Sequence, residues 1–303
     1  MSRMFARTNR SLLSQWWWTV DRQMVMGVMA LIGLGYLMAF AASPAVAQTI
    51  GKSIYYFANK QFVFLSLAGL VFLAVSMLSP KAIRYFAVLL LIGSIGGVIA
   101  TLFFGVTVKG ASRWLLIAGI SVQPSEVLKP AFVVVTAWLF ARQRAKFVAY
   151  DMWLAVALLL GSCALLAMQP DFGQTILLSL VWMCLFFLSG GSMKLISAMA
   201  SLGLLAGAYV YSTYGYFQSR IDRFLDPASG DTYQVDKAMD AIRSGGITGV
   251  GPGDGRVKSI LPDAHADYVF AVAAEEGGLI IGSFIILPFA FLVWRALWAL
   301  REE

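Results

Sequence analysis

Eight apolar runs, on the scale of the roughly 17 to 25 residues that carry a helix across hydrocarbon, limit what this chain can become. They are Met24 to Ser43, Gln61 to Leu78, Tyr85 to Val108, Ser125 to Ala141, Met152 to Met168, Thr175 to Leu188, Leu195 to Tyr211 and Asp267 to Leu300. The sixth is short. With 59% hydrophobic and 13% charged residues, a soluble globular domain is excluded. The fold class expected is all-α integral membrane: a polytopic helical bundle forming a single membrane domain. Residues 1–23 form an N-terminal segment, 24–211 hold seven spans, 212–266 form a large loop, and 267–300 form the eighth span.

Lysine and arginine near span ends set orientation, because positive residues are retained on the cytoplasmic side. With the N-terminus inside, cytoplasmic segments hold Arg3, Arg7, Arg10, Arg22, Lys81, Arg84, Arg142, Arg144, Lys146, Lys194, Arg295 and Arg301. The short outer loops hold only Lys52, Lys60, Lys109 and Arg113. The 212–266 loop is then extracytoplasmic. The net charge of +7 reads as a topology signal, and no basic stripe with interleaved aromatics points to nucleic acid. Trp16-Trp17-Trp18 reads as an interfacial anchor ahead of the first span. Cys163 and Cys184 lie in different spans and read as apolar fillers.

Polar residues placed where they are costly carry the chemistry. Lys109 and Arg113 flank small residues in Lys109-Gly110-Ala111-Ser112-Arg113-Trp114, a pattern suited to phosphate oxygens. Ser125 is expected to cap the fourth span, with Glu126 in its first turn. Lys129 lies one turn deeper, where an ammonium must pair or face a wet cavity. Its partner is either Glu126 at i, i+3 or the acidic pair Glu275-Glu276, which sits about 12 Å below Asp267 at 1.5 Å per residue. We expect the contact with Glu275 or Glu276. Asp171, in the turn Gln169 to Gln174, is placed to cap the next helix. In the large loop, Gln234 to Arg243 has the spacing of a short amphipathic helix. The cluster Ser244 to Gly255 suits tight turns and close backbone approach to a ligand or to the bundle. Asp267, near the only histidine, His265, stands where this loop becomes the last span. A carboxylate at a membrane surface suggests proton transfer on a membrane-borne substrate.

Taken in order, Lys109 to Trp114, Gln123-Pro124-Ser125-Glu126 with Lys129, Gln169-Pro170-Asp171-Phe172-Gly173, Tyr233-Gln234, Ser244-Gly245-Gly246 with Gly249 and Gly251, and Leu261 to Asp267 with Glu275-Glu276 resemble the SEDS family (shape, elongation, division, sporulation). The likeness runs from about Trp17 to the C-terminus and is to the division-type branch, in its alphaproteobacterial form. It implies a peptidoglycan glycosyltransferase of the bacterial inner membrane, acting at the division septum, that polymerises lipid II and releases undecaprenyl diphosphate. It implies Asp267 as general base on the acceptor 4-hydroxyl. Lys109, Arg113, Lys129, Gln174, Gln234 and His265 would lie about substrate and diphosphate. Glu126, Asp171, Glu275 and Glu276 would be structural intramembrane charges. A divalent cation, Mg or Mn, could supply positive charge to the leaving diphosphate, and no organic cofactor is implied. The implied partners are a class B penicillin-binding protein and other divisome membrane proteins. Family members have ten spans, and the last two, with their Ser-Tyr-Gly-Gly segment, are not among these 303 residues. Two alternatives stand beside the glycosyltransferase: a lipid II flippase or transporter, which intramembrane charge also suits, and a non-catalytic divisome scaffold, which gives no reason for Lys129 and the acidic pair to lie within the membrane.

Overall fold

All eight apolar runs lie mainly on helices, although the third, Tyr85 to Val108, ends in a strand. The computed structural model describes residues 11–49, 51–108, 111–146, 149–226, 232–261, 264 and 266–302. The helices are α1 (Leu12–Thr19), α2 (Arg22–Thr49), α3 (Tyr56–Ser76), α4 (Pro80–Phe104), α5 (Pro124–Lys146), α6 (Ala149–Met168), α7 (Phe172–Leu188), α8 (Met193–Thr213), α9 (Gly215–Leu225), α10 (Tyr233–Gly245) and α11 (Val269–Glu302). Among the described residues seven helices are long and apolar enough to span a membrane, and α7, with 17 residues, is the short one that the sequence marks. They are apolar through most of their length, as lipid requires. In α8 no residue is fully buried; Ile196 and Met199 pack against the core while Leu202, Leu204 and Leu205 are exposed. The chain is a multi-pass membrane protein.

Between α4 and α5, where the sequence suggests a plain loop, lies a three-stranded antiparallel meander: β1 (Val106–Val108), β2 (Ala111–Ile117) and β3 (Ile120–Val122). The chain divides into two compact units, residues 78–225 and the remainder.

In the 78–225 unit, Ser79 caps α4 through its Oγ, which accepts from the Ala82 N–H at 3.3 Å, and Pro80 occupies the first turn. The core is aromatic. Trp182 stacks on Phe186 at 5.4 Å, meets Phe140 edge-on at 5.3 Å, and donates its indole N–H to the Ala155 carbonyl at 3.0 Å. At the far end of α5, Arg142 forks onto the buried Asp151 and so ties α5 to α6.

In the other unit, α2 packs against α3 and α11, and α10 packs on α11. Asp21 pairs with Arg295 at 2.8 Å, and Arg22 lies over Trp17 and Trp18, so the tryptophan cluster is fixed beside the start of α2. The helix α11 is broken at Gly278, with φ 65° and ψ −165°. The break frees backbone groups that lipid could not satisfy, and the glycine-rich segment after α10 supplies them. Val250 and Gly251 N–H groups donate to the Glu275 and Glu276 carbonyls, at 3.0 and 3.1 Å. Leu279 and Ile280 N–H groups donate to the Gly246 and Ile247 carbonyls, at 2.9 and 3.3 Å. The loop is thus stitched into a gap in the span. A Cβ on Gly245, Gly249 or Gly278 would overlap opposing backbone, which explains the glycine cluster. Gly278→Ala adds a Cβ at positive φ against the Ile247 carbonyl, and it is expected to lower the thermal unfolding midpoint of the purified protein, with a backbone cost on the order of 1–3 kcal/mol.

Candidate active site

Asp267 occupies the turn immediately before α11 and is exposed. Among the described residues its side chain makes no ion pair. Lys109 and His265, two residues expected near the substrate, lie outside the described residues.

The acidic pair below it is held by the loop. Glu275 accepts from the Val257 and Lys258 N–H groups at 2.7 and 2.9 Å. Glu276 accepts from the Gly253 N–H at 3.1 Å and is ion-paired with the ammonium of Lys258. Lys258, Glu275 and Glu276 are 6%, 1% and 8% exposed, so this is a buried, hydrogen-bonded charge cluster. Sequence reasoning missed Lys258. It lies in a short 3-10 turn, Val257–Ser259, with no periodicity to mark it. The glycines before it were the available signal, because they bring that loop onto the span. Two cavities flank the cluster. One, of about 580 Å³, is lined by Ser244, Val250, Asp254, Arg256, Val257 and Glu275. The other, of about 510 Å³, has Leu37, Phe40 and Pro44 of α2 on one wall and Lys258 and Glu276 on another. Gln234 lies in the first turn of α10, whose observed span brackets the predicted amphipathic helix.

The remaining predicted residues gather in the 78–225 unit. Lys129 pairs with Glu126 at 2.6 Å, and Gln174 donates to Glu126 at 3.2 Å. This corrects the expected Lys129 contact with Glu275 or Glu276: the acidic pair has Lys258 as its cation, and Lys129 uses the acid one turn away in its own helix. Lys129 is also less buried than its depth in the sequence suggests, with 26% of its side chain exposed. Ser125 does not cap α5. The helix begins at Pro124, and the Ser125 hydroxyl accepts from the Gln123 amide at 3.0 Å. Asp171 stands at the start of α7 but makes no side-chain cap; its carboxylate faces Arg113 at 3.5 Å. Arg113 also donates to the Gln169 and Pro170 carbonyls, so its fork secures the α6–α7 turn to β2. Arg113→Lys cannot reproduce that fork and is expected to expose the turn to proteolysis between Gln169 and Gln174, read as a faster cleavage rate with the helices intact.

A membrane bundle with an exposed carboxylate at a span entrance, and a loop sewn into the span below it, defines the class. The sequence matches the cell cycle protein family of FtsW, RodA and SpoVE over residues 22–303, and the chain belongs to that family. Within it the likeness is to FtsW. The chain is 40% identical over 295 residues to the probable peptidoglycan glycosyltransferase FtsW of Caulobacter vibrioides, across 97% of this chain and 76% of the relative. It is 31% identical to the corresponding protein of Methylomonas methanica, across 91% and 73%. Its fold is similar to a chain of a peptidoglycan synthase complex that coordinates polymerization and crosslinking, with TM-score 0.68, 23% identity, and 92% and 77% of the two chains covered. It is also similar to the rod shape determining protein RodA of Thermus thermophilus, with TM-score 0.61, 21% identity and coverage of 92% and 74%.

Proposed function

We propose that this chain is a peptidoglycan glycosyltransferase that polymerises lipid II at the division septum, with its N-terminus cytoplasmic and Asp267 at the extracytoplasmic surface. The observation that carries the chemical part is the contrast among the acids. Glu126, Asp171, Glu275 and Glu276 each hold a cation or backbone amides, whereas Asp267 is exposed and, among the described residues, unpaired. Such a carboxylate is available to take a proton.

In the proposed step the acceptor 4-hydroxyl gives its proton to Asp267 as its oxygen bonds to the donor's anomeric carbon. The bond from that carbon to the diphosphate breaks, and undecaprenyl diphosphate leaves with the electron pair. One base and one displacement predict inversion at that carbon. Lys109, Arg113 and Lys129 would answer the diphosphate charge, with Gln174, Gln234 and His265 positioning substrate. Among the described residues no three His, Cys, Asp or Glu side chains gather as a metal site. A magnesium or manganese ion, when bound, would supply positive charge to the leaving diphosphate. A class B penicillin-binding protein and further divisome proteins are the proposed partners, a reading supported by the similarity of this fold to one chain of a complex that coordinates polymerization and crosslinking.

Purified protein given lipid II in detergent is expected to yield glycan polymer on gels. Movement of labelled lipid II across vesicles without polymer would instead establish a translocator, and neither activity would leave the scaffold.

A further inference from the structure

We infer that the β2–β3 hairpin tip, Leu115 to Ile120, docks into the lipid leaflet beside α4 and α5. The register gives its direction. β1 leaves the end of α4 and reverses, and Trp114 pairs back opposite Val106, level with the helix end. Three more residues of β2 then run on, about 10 Å at 3.3 Å per residue. β2 packs on both α4 and α5, with Ser112 of its first half against Gly105, so the strand as a whole lies beside these helices.

The composition of the tip fits only one surrounding. No charged residue occurs from Trp114 to Gln123. Leu116, Ile117 and Ile120 are 63%, 56% and 52% exposed. Successive strand residues point to opposite faces, so Ile117 and Ile120 expose apolar surface on one face and Leu116 on the other, with Ser121 beside Leu116 as the one polar side chain there. A hairpin packed on a protein would bury one face and present polar residues on the other. The tight turn at Ala118 and Gly119, with φ 50° and 81°, keeps the strands paired to the tip. Open strand edges would lose hydration deep in hydrocarbon, so the finger stops at the boundary of headgroups and upper acyl chains. Trp114 then lies at the interfacial collar, and Arg113, anchored on the α6–α7 turn, sits just outside it. The finger would hold Arg113 at a fixed depth.

The test uses the full chain with Cys163 and Cys184 replaced by alanine, carrying Leu116→Cys, Ile117→Cys or, as a water-exposed control, Asp254→Cys. Each is labelled with an environment-sensitive fluorophore in nanodiscs of phosphatidylethanolamine and phosphatidylglycerol. At both hairpin positions emission should be blue-shifted, strongly quenched by lipid spin-labelled near the top of its acyl chain, and protected from aqueous iodide, with the control showing the reverse. Iodide quenching at either position to the extent of the control would overturn the inference. So would protection from both quenchers, which would mean that a protein covers the tip.

Discussion

Lys258→Met should destabilise the unit that carries α10 and α11 by about 3–5 kcal/mol, the usual effect of removing one partner from a buried ion pair. Methionine keeps most of the lysine stem, so packing is little changed and the loss is electrostatic. Glu276 would be left 8% exposed with only the Gly253 N–H to receive its charge. Because the loop from Gly246 to Lys258 also satisfies the broken backbone of α11, its release should expose it to protease before the helices melt. Adding Glu276→Gln to Lys258→Met removes the stranded charge and should recover much of the stability. Thermal unfolding in detergent, with limited proteolysis of the same samples, measures both. Equal midpoints for the wild type and the single variant would show that the pair contributes nothing.

The spans were legible because the lipid requirement is written in composition over long windows. The α10 helix was legible from Val235, Ala238, Met239 and Ile242, and the glycine cluster from its implied close approach. The β meander was not, because Lys109 to Arg113 has the look of a basic loop and the apolar residues after it are too few for a span. The run Trp114-Leu115-Leu116-Ile117, the Ala118-Gly119 turn and Ile120-Ser121-Val122 did hold a hairpin signal. The short helix α1 was hidden by its tryptophans, which read as an anchor.

At the site, the sequence identified charges that must be paired but could not choose between partners. Lys129 took the acid nearest in its own helix, since an i, i+3 pair forms without bringing distant spans together. Glu276 took a loop lysine whose approach depends on the break at Gly278, and that break is a tertiary feature. Asp171 and Ser125 look like caps in sequence, yet Arg113 and Gln123 compete for them.

Asp267→Asn carries the largest functional effect. The side chain is exposed and holds nothing in place among the described residues, so the variant should fold with an unchanged unfolding midpoint and still bind lipid II. It lacks a basic carboxylate, and loss of a general base typically lowers the rate by about 10²–10⁴-fold. A structural role would have the opposite signature, with stability and binding falling together with turnover. The most direct measurement is therefore the initial rate of glycan polymer formation from lipid II by purified wild-type and Asp267→Asn protein of equal thermal stability. The base assignment predicts polymer from the wild type and a loss of that size in the variant; equal rates would contradict it.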